Sequence, residues 1–383
     1  MGTKAIISGV HDTQVGALPD STCMSLHAEA ALGALADAGL AVSDIDGLLT
    51  AYSFASPQLM LGGVLGEYIG LRPKVNASIA MGGMTGGLLV RHAESLVRSG
   101  RCRHVLCVTG DNRLTGMGDK VQAALADVGH PQYEQPYGMS VPAAFAMAAQ
   151  VYFHEGWLNG DHLAAVAVNQ RANAALHPQS HMKKPITMDD VRKSKLIASP
   201  LRMLDCCLVS DGGAAVVVSA GDTARDGRRR AVELLGIGEG HTHEHIFAAP
   251  SLVDFGCKES AADALAQAGL KHKDVDCAHI YDCFTSTLLI TLESMGFYGR
   301  GEAGPAALAG ELAIGGRFPV NTNGGLLSYG SSGAAGGMFH VVEAVRQLRG
   351  ECGPRQVKDA EVALAHTLGG IFSGHCSIIM GRA

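Results

Sequence analysis

A chain of 383 residues with 47% apolar residues, 50 glycines and 5% aromatic residues is long enough to bury two ordinary cores and too apolar to stay disordered. Its 30 basic and 36 acidic residues give a formal charge of −6, which excludes a broad electrostatic footprint for nucleic acid, and the one basic cluster, RDGRRR at 225–230, reads as a solvated loop. No apolar run approaches the ~20 residues of a membrane span, and MGTKAIISGVHDTQVG lacks a secretory signal, so the ten cysteines are expected to be reduced, buried thiols of a cytoplasmic protein.

In chain order, KAIISG reads as a strand, STCMSLHAEAALGALADAGL carries apolar residues at helical spacing, and DIDGLLTAY reads as a second strand. MGGMTGGLLVRHAESLVRSGRCRHVLCVTGD then gives a glycine turn, an amphipathic helix, a basic loop and a buried strand. Residues 112–200, rich in Pro, Gly, His and Met in a looser pattern, read as an inserted, substrate-facing loop region, and SDGGAAVVVSA closes the first half with a buried strand. The same grammar returns in AVELLGI, KESAADALAQAGL, DVDCAHIYD, GSSGAAGGMFHVVEAVRQLRG and EVALAHTLGG. The expectation is therefore an internal duplication, with halves at 1–225 and 226–383.

Each glycine-rich turn, at 81–89 and 328–337, introduces a small-residue helix, yet neither presents a cysteine, a histidine or a serine nucleophile. No G-x-G-x-x-G or P-loop lysine accompanies them, which disfavours a dinucleotide or nucleoside triphosphate site. His241, His243 and His245 in GHTHEHI alternate by two residues, without the H-x₃₋₅-H spacing of a zinc site, so no metal is expected.

Four ordered motifs, LDCCLVSDGGAAVVV, HIYDCFTSTLLITLESMGF, NTNGGLLSYGSSGAAGG and AHTLGG, resemble the sterol-carrier-protein-type thiolases over essentially the whole chain. The resemblance implies an α/β thiolase fold, two duplicated halves in a layered αβαβα arrangement, a homodimer, and acyl-CoA thioester substrates. The departures are chemical. The turn that carries the thiolase nucleophile reads Gly83-Met84-Thr85-Gly86, the G-H-P histidine is lost in Gly330-Ser331-Ser332, and Tyr281 replaces the histidine of H-D-C-F. Acyl transfer through a covalent acyl-cysteine is then unavailable at that position, and Cys206, Cys207, Cys283 and Cys376 read as packing residues.

This pattern of losses is similar to that of the lipid-transfer-protein-type aldolases of bacterial steroid side-chain degradation, whose paired tyrosines match Tyr281 and Tyr329. The resemblance implies retro-aldol cleavage of a β-hydroxyacyl-CoA thioester to a ketone or aldehyde and acetyl-CoA or propionyl-CoA. Tyr281 and Tyr329 would act as acid and base in either order. His366 and Asn323 would support the enolate, and His243 and His245, on a loop over the site, would support the substrate or assist the tyrosines. No cofactor is implied beyond CoA as part of substrate and product. The aldolases of this type work with a small OB-fold protein bearing a zinc ribbon, and the scarcity of basic residues around these motifs fits a borrowed CoA-binding surface. Two other readings stand beside this one: an acyltransferase with an unrecognised nucleophile, and a non-catalytic thiolase-like scaffold subunit.

Overall fold

The helices and strands begin and end where local chemistry dictates. Thr22 caps the first helix, Cys23–Ala38, by accepting from the Ser25 amide at 3.1 Å while the Ser25 hydroxyl accepts from the Thr22 amide at 2.9 Å. Gly39, at φ 68°, ends it in the left-handed region. The computed structural model describes residues 3–118, 120–126, 128–223 and 231–382; the basic cluster at 225–230 and the boundary expected at 225/226 lie outside the described residues.

The strands are β1 (Ala5–Asp12), β2 (Gly47–Thr50), β3 (Val75–Ser78), β4 (His104–Asn112), a short pair β5 (Leu196–Ala198) and β6 (Leu201–Arg202), β7 (Asp211–Ala220), β8 (Val232–His241), β9 (Cys277–Ile280), β10 (Val362–Gly369) and β11 (Gly374–Arg382). Nine of them form a mixed sheet in the order β3-β2-β4-β7-β1-β8-β11-β10-β9. Within it, β2-β4-β7-β1 and β9-β10-β11-β8 repeat one plan: a parallel pair, then two antiparallel pairings. β3 extends the first copy, and its counterpart is a single parallel bridge between Ala278 and Val320. The copies join where β1 meets β8, through Ile6–Glu233 and Ile7–Val232.

Helices occupy three levels around the two half-sheets. Cys23–Ala38 covers the β1, β4 and β7 face from outside, and Cys257–Ala268 covers β8 and β11. Between the half-sheets lie Thr85–Arg98 and Ala335–Arg349, in a core shared with residues of both copies. This gives the αβαβα layering. All ten residues of β7 are buried, as a central strand covered on both faces requires.

The segment 112–200 differs from the loop region expected. It carries a π-helical turn, Arg113–Met117, and the helices Lys120–Ala126, Val141–His154, Gly160–Ala175 and Met188–Lys193. Three of these helices have good caps: Ser140, Asn159 and Thr187 each accept from backbone amides of their own first turn. Alanine-rich faces such as VPAAFAMAAQVYFH give little amphipathic contrast, which is why the pattern looked loose.

Candidate active site

The two central helices start at the two glycine turns, and these turns meet at one side chain. A Cβ added to Gly83 would lie 2.2 Å from the Tyr281 hydroxyl oxygen, and one added to Gly336 would lie 3.7 Å from Tyr281 Cε2. Tyr281 thus fills the space into which a side chain at position 83 would project. Both helix N-termini carry partial positive charge, so the site favours negative charge as it forms.

Tyr281 follows directly on β9, whose last residue is clamped. Asn321, at φ 51°, accepts from the Ile280 amide at 2.7 Å and donates to the Ile280 carbonyl at 2.8 Å. Burial pushes the Tyr281 phenol well above its ordinary pKa; Cys283, Cys207 and Tyr52 add to this and Arg113 opposes it. Tyr281 is therefore a neutral phenol and a proton donor at physiological pH. Beside it, Asp282 is fully buried and accepts from the Leu326 amide at 2.7 Å. Burial raises its carboxyl to about 8 against the opposing hydrogen bonds from Leu326 and Asn321.

Four histidines of this half, His279, His340, His366 and His375, are fully buried. The Phe372 carbonyl can only accept, so His375 donates to it through Nε2 at 3.1 Å and its Nδ1 must accept. His366 then donates through Nε2 to that Nδ1 at 3.0 Å. Burial, then His375 and His340, hold His366 well below the ordinary histidine pKa, so it is neutral and its Nδ1 carries a lone pair. That Nδ1 is buried and has no hydrogen-bond partner. His340, whose ring sits 6.1 Å edge-on to Tyr281, and His279 likewise have no partner on either ring nitrogen. His340 Nε2 lies 3.8 Å from Asp282 Oδ1, beyond hydrogen-bond range.

Tyr329 has different surroundings. Only 1% exposed, it donates its hydroxyl to Asp12 Oδ2 at 2.5 Å, and Arg346 holds the other Asp12 oxygen at 2.6 Å. Burial raises the Asp12 pKa, but Arg346 and the Tyr329 hydroxyl outweigh it, and the carboxylate stays ionised. Burial and then Asp12 push the Tyr329 phenol well above its ordinary value. Its ring meets His177 and Phe339 edge-on, at 4.8 and 5.1 Å. The structure brings Tyr281, Gly83 and His340 together, whereas it joins Tyr329 to the Asp12–Arg346 pair and His366 to His375.

The other candidates are placed as follows. Asn323 accepts from the Gly325 amide at 2.9 Å and so braces its own turn. His243 bonds the Ile371 carbonyl at 2.9 Å and the Thr242 hydroxyl at 2.8 Å. The Ile371 loop in turn abuts the Gly82–Gly83 turn, since a Cβ on Gly82 would lie 3.2 Å from Gly369 Cα. His245 joins an aromatic cluster with His130 and Phe247, and His241 reaches Glu239 at 3.4 Å. Among the described residues, no group of three or more His, Cys, Asp or Glu is arranged to hold a metal ion. All ten cysteines are free thiols, and burial raises the pKa of every one, Cys207 to about 11 and Cys283 well above its ordinary value.

Asp282, Asp12, His340 and His375 were not identified from the sequence. Asp282 had a signal, its place in the Tyr-Asp-Cys-Phe motif. Asp12 and Arg346 are 334 residues apart, and nothing local in either segment marks the pairing.

A family profile described as "Thiolase C-terminal domain-like" matches residues 238–382. The chain is 35% identical over 360 residues to "17-hydroxy-3-oxo-4-pregnene-20-carboxyl-CoA lyase" of Mycobacterium tuberculosis, covering 91% of this chain and 92% of that protein. It is 31% identical over 373 residues to "Acetyl-CoA acetyltransferase" of Methanothermobacter thermautotrophicus, covering 95% and 96%. Among solved structures, a chain of the "Ltp2-ChsH2(DUF35) aldolase" superposes with a TM-score of 0.89 at 31% identity, over 100% of this chain and 98% of that one. Together with the duplicated half-sheets and the two central helices, these similarities show that the chain belongs to the thiolase-like superfamily, in the sterol-carrier-protein-type branch alongside the steroid side-chain aldolases.

Proposed function

We propose that this protein is an aldolase that cleaves a β-hydroxyacyl-CoA thioester, a steroid side-chain CoA ester, into a ketone or aldehyde and acetyl-CoA or propionyl-CoA. The observation that carries this reading is the exchange at the Gly83 turn: a thiolase-like scaffold in which the Tyr281 hydroxyl occupies the space of a position-83 side chain. The lyase and aldolase relatives support it.

The chemistry follows from proton positions. A base takes the β-hydroxyl proton, the Cα–Cβ bond breaks, its electron pair forms the thioester enolate, and a proton added at Cα gives the shorter acyl-CoA. The proton taken balances the proton returned, so no redox cofactor is required and CoA enters only as part of substrate and product. The buried, neutral Tyr281 phenol returns the proton to Cα. The lone pair on His366 Nδ1 suits the accepting role, which differs from the enolate-donating role the sequence suggested. Tyr329, bound to Asp12, serves as a positioning residue for the Gly330–Ser332 loop, and Asn323 as a brace of the Gly325 turn. His243 and His245 stay with the loop over the site.

The acyltransferase relative keeps the alternative of an unrecognised nucleophile in view. The electrostatics oppose it, because burial holds every thiol in its protonated form. The protein acts as a homodimer with a small OB-fold, zinc-ribbon partner, a reading supported by the heteromeric neighbour. No helix of the described residues is long and apolar enough to cross a membrane, and ten free thiols suit the cytoplasm. The test is incubation with a panel of β-hydroxyacyl-CoA thioesters and identification of products by mass. Cleavage to a carbonyl compound and a shorter acyl-CoA is expected, and an acylated cysteine peptide formed during turnover would overturn the proposal.

A further inference from the structure

Arg113 is a buried cation with no hydrogen-bonded or ion-paired anion among the described residues. It is 7% exposed, and among the described residues it makes no hydrogen bond or ion pair; its Nε is fully buried and unpartnered. A guanidinium buried without a hydrogen-bonded anion has given up water for no matching charge. Such a cost is retained where an anion is to be met.

Its surroundings place it at the Tyr281 site. Arg113 opens the π-helical turn Arg113–Met117 at the end of β4, a kind of irregularity often found at functional positions. Its guanidinium carbon lies 5.5 Å over the Phe54 ring. A Cβ on Gly333 would come within 3.2 Å of Arg113 Cδ, so the arginine stem lies against the glycine loop that leads into Gly336 and the Tyr281 ring. The neighbouring Ser332 hydroxyl is also buried without a partner. The neighbouring acid Asp111, whose carboxyl pKa burial raises and the Arg113 charge lowers, has its oxygens taken up by the Ser53 hydroxyl and the Phe54 and Ala55 amides at 2.7–3.2 Å. The charge of Arg113 is felt at Tyr281, Tyr52 and Cys207.

We infer that Arg113 is a further catalytic residue, holding the thioester oxygen as it takes on negative charge in the enolate. The inference rests on the aldolase reading above. A buried cation that lacks a hydrogen-bonded anion of its own gains most when that charge develops, so its contribution falls on the transition state more than on ground-state binding. In the cleavage step the electron pair released from the Cα–Cβ bond settles on this oxygen, and it returns when Cα is protonated.

The test compares Arg113→Met, Arg113→Lys and Arg113→Ala in the full chain co-expressed with its partner. Two reactions are followed: cleavage of the β-hydroxyacyl-CoA panel, and exchange of the α-protons of propionyl-CoA with deuterium, which forms the enolate without any aldol partner. Arg113→Met is expected to lower kcat about 100-fold or more with KM within about threefold, to slow exchange in parallel, and to keep or raise Tm. Added guanidinium should restore part of the Arg113→Ala rate, and Arg113→Lys should fall between. Cleavage by Arg113→Met within about threefold of wild type, or a rise in KM alone, overturns the assignment while the aldolase reading stands. A wild type that exchanges but cleaves nothing overturns the aldolase reading and leaves the assignment; a wild type that does neither overturns both. If Arg113→Met unfolds, Arg113→Lys and guanidinium rescue of Arg113→Ala decide.

Discussion

At Tyr281 the hydroxyl is the polar atom that the ring brings to the Gly83 turn, so Tyr281→Phe keeps the packing and removes the proton. A fall in kcat of about 10²- to 10⁴-fold with an unchanged Tm is expected, read by steady-state kinetics and calorimetry. Tyr329→Phe should divide its effect differently. It leaves Asp12 one donor short in a buried ion pair, a loss of about 1–3 kcal/mol, and should affect stability more and rate less than Tyr281→Phe. An equal collapse of rate in both would restore Tyr329 to the chemical step. Gly83→Cys should not recreate a thiolase, because its Cβ would collide with the Tyr281 hydroxyl. Asp282 supplies a pH signature. Its folded pKa of about 8 stands above the 3.8 of an ordinary aspartate, so the folded state binds more protons between those values and stability falls as pH rises from about 4 to 8. Asp282→Asn, neutral throughout, should flatten that decline in a series of denaturant titrations; an unchanged slope would show that Asp282 does not carry it.

The elements that shape the site are the two central helices, and their spacing depends on missing side chains. A Cβ at Gly86 would lie 2.5 Å from the Met338 amide nitrogen of the facing helix, backbone that cannot swing aside. Gly86→Ala should therefore cost about 1–3 kcal/mol or more by overpacking, and should also lower activity because it shifts the helix ends that meet at Tyr281. Gly63, in the surface helix Leu61–Ile69, has only the Met60 side chain near 3.8 Å, and Gly63→Ala should be neutral or stabilising. Chemical denaturation of the two variants side by side checks this contrast. The same elements show what the sequence made legible. The strand and helix periods of each half, and the glycine turns before the central helices, are local signals, and the repeat of AVELLGI through EVALAHTLGG exposed the duplication. Tyr281 stands out as a candidate in the sequence because Asp282, Cys283 and Phe284 follow it in a motif. The helices of 112–200 were missed because small apolar residues blur the polar and apolar faces. Asp12, Arg346, His340 and Arg113 were missed because their roles arise only when distant segments meet.

For the whole molecule, the open side of β3 is the feature that calls for a partner. Among the described residues β3 ends the sheet and pairs with β2 alone, and Asn76, Ala77 and Ser78 are exposed along it. Nearby, Leu59 and Tyr68 are 97% and 61% exposed. An unblunted edge strand beside exposed apolar side chains is a template for pairing with another chain, which supports the proposed homodimer. Light scattering should give twice the chain mass, and Asn76→Pro, which removes an open-edge donor while the Val75 and Ile79 amides keep their bonds to Asp46 and Thr50, should give monomers of lower Tm. The accessory partner makes a separate demand. If the CoA-binding surface is borrowed, the homodimer alone should hold acyl-CoA weakly and cleave slowly, while co-expression with a small OB-fold, zinc-ribbon protein should yield a stable complex of higher activity. Because the proposed partner supplies binding surface and Tyr281 supplies chemistry, the partner should lower KM for the thioester in wild type, and Tyr281→Phe should still join the complex, bind substrate and fail to turn it over. Full-rate turnover by the isolated homodimer would refute the partner and leave the aldolase assignment untouched, whereas activity in a Tyr281→Phe complex would move the chemistry to another residue.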